Sequence, residues 1–419
     1  MSSTEVGELI NGYSMRIWRL TVFITLSLWM SVACSKGGYQ AIIDAGSSGS
    51  RIYLYKLSEK HNRLHIETLL AFRPSSSKGL SAHKNIPEQA GPNEIAPLLK
   101  NLKTTLESIN IDQKSVPISV LATAGMRLLP ESVTKRIFNS VTSEISAQGW
   151  RLQEARVISG QEEGVFAWID LNYSRDRLRP GRETFGVIEI GGASSQVAFA
   201  STDFDATNSL PFTINGLRYQ VVSISYLGLG HNEARHSMMR LIGNHQPGSN
   251  PCYPNSGQAD VTFDAGRIKG QLSLFSEQCF DLFERVIDRV GQQTTNQPSP
   301  DNLKEIPGYV STPFIGLAAI KHVLEQWTVD ERLTPKIALR QAIMNQCSGP
   351  DAWERFRHLK GSRSLVQNAC ASASYLYALL FSNEGLALSA KQFETLGHLQ
   401  KDGLSWTRGF VLYRATQTQ

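Results

Sequence analysis

The sequence predicts an α/β protein in which strands alternate with helices. Short continuous apolar runs ending in Gly/Ser turns, such as Pro117–Ala122 and Phe185–Ile190, read as buried strands. Between them lie stretches with apolar residues every three to four positions, the helical period. An acidic residue beside the end of a strand, followed by a turn of Gly, Ala and Ser, also occurs twice. Strands alternating with helices place helices over a sheet.

Taken in order, Tyr39–Asp44 and Arg51–Leu57 read as a hairpin with its turn at Ala45–Ser50. Glu94–Ile109 sets Ile95, Leu98, Leu99, Leu102, Leu106 and Ile109 on one stripe, a helix. Pro117–Ala122 is a strand running into Thr123, and Glu131–Ala147 a second amphipathic helix. A strand ends at Val157-Ile158-Ser159-Gly160, and Glu162–Tyr173 is helical. Phe185–Ile190 is a strand, with Gln196–Ala200 as its hairpin partner. Two loops follow: Gly243–Ala259, and Gly291–Asn302, which is expected to be mobile. Helices are expected at Glu277–Val290, Ile315–Gln326, Thr334–Asn345 and Ser372–Phe381.

The 419 residues favour two or three domains, at roughly 100–200 residues each. Hydrophobic residues are 41% and charged residues 19%, which excludes a disordered chain. Net charge is +5, with no long run of like charges, so no nucleic-acid partner is expected. Collagen-like, coiled-coil and multi-span membrane classes are excluded. Leu20–Ala33 is apolar but only fourteen residues long, short of the roughly twenty a spanning helix needs. Arg16 and Arg19 precede it, and Ser31-Val32-Ala33 resembles a cleavage site, so residues 1–34 read as a signal peptide whose start is Met1 or Met15. Cys34 follows the cut, where lipidation is the alternative to plain secretion into the periplasm or medium. Cys252, Cys279, Cys347 and Cys370 then read as two disulfides, with three pairings open. The sequential one, Cys252–Cys279 with Cys347–Cys370, is preferred.

The chemistry lies in the repeated turn. Ile42-Ile43-Asp44-Ala45-Gly46-Ser47-Ser48-Gly49-Ser50 is echoed by Ile188-Glu189-Ile190-Gly191-Gly192-Ala193-Ser194-Ser195. Small residues let backbone N–H groups approach a phosphate, hydroxyls add donors, and the acid can hold a divalent ion through water. No Gly-Lys-Ser/Thr is present, so neither turn is a Walker loop.

This pair of acid-Gly-Ser hairpins resembles the superfamily of actin, the chaperone ATPases and the sugar kinases. Within it the chain resembles the ecto-apyrases, the nucleoside triphosphate diphosphohydrolases. The resemblance rests on Asp44–Arg51, Ala122–Arg127, Ser159-Gly160-Gln161-Glu162-Glu163-Gly164 with Trp168 and Asn172-Tyr173, and Glu189–Gln196. Looser matches follow at Tyr226–Arg235, Asn250-Pro251-Cys252, Gly308–Ile320, Cys370–Leu380 and Trp406–Tyr413. It implies two actin-like (ribonuclease H-like) lobes, 38–160 with 396–419 and 161–395, around a nucleotide cleft.

The resemblance also implies roles. Glu163 is the base that activates water, and Arg127, Asn172 and Gln196 surround the reacting groups. Gly46, Ser47, Ser48, Gly49, Thr123, Gly191, Gly192, Ala193, Ser194 and Ser195 hold phosphates. Asp44, Glu189 and Trp406 hold a divalent cation through its water shell; magnesium, calcium and manganese all fit. Tyr375, Phe314 and His231 face the base. Glu162 is expected to point away from the site. Glu163 and Asn172 are nine residues apart, about 180° around a helix, so both reach the site only if Glu163 precedes the helix. Glu189 stands where the family usually has Asp. The implied substrates are nucleoside tri- and diphosphates, the implied state a monomer, with no spanning helix at the C-terminus. Two rivals remain: an exopolyphosphatase-like phosphohydrolase, and a binding module that uses nucleotide as a switch.

Overall fold

The computed structural model describes residues 37–417, apart from 61–62, 204–207, 243–249, 254–259, 264–265, 270–274, 325–326, 328–334, 350, 353–354, 356–367 and 393–403. The expected signal segment, Cys34 and much of the Gly243–Ala259 loop lie outside the described residues.

Two five-stranded sheets organise the chain. The first contains β1 (Gly37–Gly46), β2 (Gly49–Lys60), β3 (Arg63–Phe72), β4 (Pro117–Ala122) and β5 (Arg151–Val157), in the order β3-β2-β1-β4-β5. β1 and β2 form the expected antiparallel hairpin, with Asp44 opposite Arg51 and Gly46 opposite Gly49. The turn is therefore tighter than the sequence suggested, with only Ser47 and Ser48 at its tip. β4 runs parallel to β1, and β5 to β4. Helices α1 (Ala96–Ser108), preceded by a π turn at Gly91–Ile95, and α3 (Glu131–Ala147) cover one face. Their Leu98, Leu102, Ile137 and Val141 pack on Ile43, Ile118 and Val120. Between them the short α2 (Ala124–Arg127) follows β4.

The second sheet comprises β6 (Gly186–Ile190), β7 (Ser194–Ser201), β8 (Ser209–Ile214), β9 (Leu217–Leu227) and β12 (Phe314–Ala318), in the order β12-β6-β7-β9-β8. The small pair β10 (Asp260–Phe263) and β11 (Gly266–Lys269) stands apart. Helices α5 (His231–Ile242), α6 (Gln278–Gln293), α7 (Ala319–Leu324), α8 (Pro335–Cys347) and α9 (Ala369–Phe381) gather over one face. Cys252 is joined to Cys279 and Cys347 to Cys370, the sequential pairing, all within this cluster.

Helix α4 (Gly160–Ser174) has no exposed face along its middle: every residue from Glu163 to Asn172 is buried. Its polar members there are paired inside: Glu163 with Arg127, Asp170 with Arg408 and Asn172 with the Phe185 backbone. Its Phe166, Trp168, Ile169 and Leu171 share one core with Ile42 and Leu121 of the first sheet and Val187 and Ala198 of the second. The last helix, α10 (Trp406–Gln417), packs along it, with Phe410 edge-on to Phe166 at 5.5 Å.

Two expectations change, and one hairpin is added. Ile315–Gln326 begins as strand β12 and becomes helix only at Ala319, because Phe314–Ala318 pairs in parallel with Gly186–Ile190. Ala318, at φ 56, makes the break. The hairpin β8–β9 is not among the expected elements, although its Asn215-Gly216 turn, both residues at positive φ, carries a hairpin signal. Gly291–Asn302 is pinned rather than mobile. Gln297 binds the backbone of Ser225 through both amide atoms, and Tyr226 donates to the Pro298 carbonyl.

Gly409 allows α10 to approach α4, since a Cβ there would overlap the Phe166 carbonyl oxygen. Backbone cannot swing aside as a side chain can. Gly409→Ala is expected to destabilise the protein by about 1–3 kcal/mol, read as a lower denaturation midpoint; an unchanged midpoint would show that α10 can slide on α4 freely.

Candidate functional site

The two Gly/Ser turns line one cavity of about 560 Å3, together with Asp44, Glu163 and Glu189. Buried Ile42 and Ile43 fix β1 at the centre of its sheet, which carries Asp44 to the cavity. Asp44 Oδ2 lies 3.4 Å from Arg51 Nη1. Gly46, Ser47 and Ser48 line the cavity, and Arg73 donates to the Ser48 carbonyl at 2.6 Å. Thr123, at the end of β4, joins them.

The second turn is held from behind by helix α5. The N–H groups of His231, Asn232 and Glu233 donate to the Gly191 and Gly192 carbonyls at 2.9, 3.0 and 3.2 Å. A helix N-terminus needs acceptors for these donors. Here the turn supplies them. Gly192 comes so close to the first turn that a Cβ would overlap Ser47 Oγ.

Glu163 reaches the cavity from inside α4, in its first turn. Ser159 caps the helix: its hydroxyl accepts the Glu162 N–H at 3.1 Å, and Glu162 accepts the Ser159 N–H at 2.8 Å. Arg156 holds Glu162 outward at 2.8 Å, as expected. Its neighbour, about 100° further round, faces in. Arg127 donates to Glu163 Oε2 at 2.5 Å and Gln196 to the same oxygen at 3.3 Å.

Several expected residues are turned elsewhere. Because Glu163 is inside the helix, Asn172 falls on the opposite side. It is fully buried and clamps Phe185, donating to its carbonyl at 2.9 Å and accepting its N–H at 2.8 Å. Strand alternation splits the second turn's serines. Ser194 lies beneath Arg127 and Gln196, while Ser195 donates to the Leu229 carbonyl. Neither lines the cavity, nor do buried Ala193 and Gly49. Phe314 is a core residue between Phe199 and Tyr309. Tyr375 touches the cavity but is 1% exposed, its ring against Phe283 and its hydroxyl on the Leu229 carbonyl, which leaves little face for stacking. His231 lines the cavity with Nδ1 2.9 Å from the Gly191 carbonyl, and Trp406 lines it too.

Sequence reasoning passed over Tyr53, Arg51, Arg73, Asn232, Arg235 and Lys321, all in the cavity wall. Arg51 could have been found, since the tight hairpin places it opposite Asp44. Arg73 and Lys321 arrive from distant segments and carry no local signal.

Burial governs the electrostatics. Desolvation pushes Asp44 up to about 6, against the pull of Arg51. It pushes Glu163 up to about 7, opposed by Arg127 and helped by Asp44. Glu189 rises to about 8, through burial and then repulsion from Glu163 and Asp44. Among the described residues no group of three or more His, Cys, Asp or Glu is arranged to hold a metal directly. Yet Asp44 Oδ1 and Glu189 Oε2 are buried without a hydrogen-bond partner. Such oxygens suit the water shell of a hydrated divalent cation.

Each of these acids binds its proton more tightly folded than unfolded. Their contribution to stability is therefore full below about pH 4 and lost as pH rises through the range from about 6 to 8. In EDTA, Glu189→Gln is expected to raise the denaturation midpoint at pH 8 and leave it unchanged at pH 4. Equal effects at both would mean that Glu189 is not strained by ionisation.

Two five-stranded sheets that present paired Gly/Ser turns and three carboxylates to one cavity give the chain a two-lobed, actin-like α/β fold. Comparison agrees, and assigns the family: residues 32–419 match the GDA1/CD39 (nucleoside phosphatase) family, to which this chain belongs. It is 24% identical to ectonucleoside triphosphate diphosphohydrolase 2 of Rattus norvegicus, covering 89% of this chain and 81% of that protein. It is 29% identical to ectonucleoside triphosphate diphosphohydrolase 3 of Homo sapiens, over 90% and 78%. Among solved structures, a nucleoside triphosphate hydrolase from Neospora caninum shares the fold, with a TM-score of 0.57, 16% identity, and coverage of 91% and 93%.

Proposed function

We propose that this chain is a divalent-cation-dependent hydrolase of nucleoside tri- and diphosphates, releasing the monophosphate and orthophosphate. One observation carries it: the buried carboxylates Asp44 and Glu163 and the half-buried Glu189 meet two Gly/Ser turns around one cavity, in a member of a nucleoside phosphatase family.

The turns at Gly46–Ser48 and Gly191–Gly192 would take the phosphate chain between them, backbone N–H groups and the Ser47 and Ser48 hydroxyls serving as donors. Arg51 and Arg73 add charge at the same wall. Arg127 and Gln196 both donate to Glu163 Oε2, which leaves Oε1 to accept from an attacking water. As the water oxygen bonds to the terminal phosphorus, Glu163 takes its proton. The bond from that phosphorus to the bridging oxygen breaks, and the electron pair stays on this oxygen in the departing nucleoside di- or monophosphate, while the attacked phosphoryl group becomes orthophosphate. Burial makes Glu163 a stronger base than an exposed glutamate, and Arg127 keeps it in place. Asp44, Glu189 and Trp406 would hold the cation through water; when bound, it supplies charge to neutralise the phosphate oxygens. Magnesium, calcium and manganese are all compatible with this oxygen-rich setting.

Two disulfides support an oxidising, exported setting. The lobe division 38–160 with 396–419 against 161–395, and a monomeric state, complete the reading.

Phosphate release from a panel of nucleoside tri- and diphosphates and inorganic polyphosphate tests it, with magnesium, calcium, manganese or EDTA. Cation-dependent release from nucleotides is the expected result; release from polyphosphate alone would overturn the substrate class, and nucleotide binding without release the hydrolase itself. Glu163→Gln keeps the shape and removes the basic oxygen. It should lower kcat by about 10²–10⁴-fold while nucleotide affinity, measured by calorimetry, stays within a few-fold. A variant with half the normal rate would move the base elsewhere.

A further inference from the structure

The first phosphate turn is braced by a buried polar relay outside the cavity. The Ser50 N–H, just past the turn, donates to Ser77 Oγ at 2.6 Å. Ser77 in turn donates its hydroxyl proton to Glu94 Oε2 at 2.5 Å. The other carboxylate oxygen of Glu94 accepts the Lys78 N–H at 2.8 Å, with His83 Nε2 3.4 Å away. Ser50, Ser77 and Glu94 are 0%, 8% and 2% exposed. A hydroxyl that gives its proton to a carboxylate becomes a better acceptor, so the bonds of the relay strengthen one another.

The same segment forms the floor of the turn. Gly79, at φ +85, lies so near it that a Cβ would overlap the Gly46 carbonyl oxygen and come within 3.0 Å of the Gly49 nitrogen. On the other flank, a Cβ at Gly125 would stand 2.8 Å from Ser47 Cα. Glu94 itself sits in the π turn that leads into α1, so the relay ties a Gly/Ser turn to the body of the first sheet's covering helix. Nothing in the hydrolysis step uses Glu94 or Ser77.

We propose that Glu94 and Ser77 are positioning residues: they hold the Gly46–Gly49 turn in its phosphate-ready shape before substrate arrives. This rests on the reading of that turn as a phosphate clamp. A turn of Gly and Ser left free would have to be ordered at binding, and that cost appears in affinity rather than in the chemical step.

The test uses the full chain with Ser77→Ala, and with Glu94→Gln, which keeps the volume and remains informative if the alanine variant folds poorly. Amide hydrogen exchange without nucleotide should quicken in the peptide covering residues 45–54 and stay unchanged in β7 and α4. KM for a nucleoside triphosphate should rise about 3- to 10-fold with kcat within about twofold, and the double variant should be no worse than Ser77→Ala, because the relay acts in series. Unaltered exchange at the turn in both variants, or an unaltered KM where the wild type turns over, overturns the role. A wild type that releases no phosphate overturns the hydrolase reading instead, and the exchange measurement then decides the relay by itself.

Discussion

Three carboxylates removed from water and set around one cavity are the constraint on which the rest of the molecule depends. Desolvation makes Asp44, Glu163 and Glu189 each resist ionisation; Asp44 makes it harder still for Glu163, and Asp44 and Glu163 together for Glu189. A protein gains nothing from such a cluster by itself. It is tolerable because Arg51 and Arg127 stand beside it, and because a hydrated cation would supply the positive charge that it lacks. The arrangement is strained when empty of charge partners and well matched when they are present.

Three separate elements bring those carboxylates together, and α4 links them. Its interior residues pack against both sheets, so the helix cannot shift without disturbing two cores. The capping box at Ser159 and the Arg156–Glu162 pair set its start and rotation. Rotation decides which of two adjacent glutamates faces the cavity. At the other end of the helix Asn172 performs a different task, tying Phe185 and hence the entry to β6, the strand that bears Glu189. One helix thus positions one carboxylate directly and another through the strand it anchors.

The two turns look alike in sequence but are supported differently. The second is backed by the N-terminus of α5, whose donors end on its carbonyls. The first relies on the segment around Ser77 and Gly79, with Gly125 of the short α2 against its other flank. Their close approach at Ser47 and Gly192 makes the width of the cavity depend on both supports together.

Local pattern was enough for much of this. The hairpin bearing Asp44, the strand at Pro117–Ala122, the helices at Glu131–Ala147 and over Glu162–Tyr173, the paired Gly/Ser turns and the family all follow from residues close together in the chain. So does the outward direction of Glu162, since a capping box is a local device. What tertiary structure decided was the facing of side chains and the meeting of distant segments. Ile315 reads as the start of a helix until a partner strand makes it β, and Phe314 reads as a base contact until the same strand buries it in the core. Ser195 reads as a phosphate donor until the pleat turns it to Leu229, and Asn172 reads as a site residue until the helix is seen to begin before Glu163. Arg73, Arg235 and Lys321 reach the cavity from segments that share nothing local with the turns. The physical reason is that backbone propensity and period are properties of neighbours in sequence, whereas burial and charge pairing are set by neighbours in space.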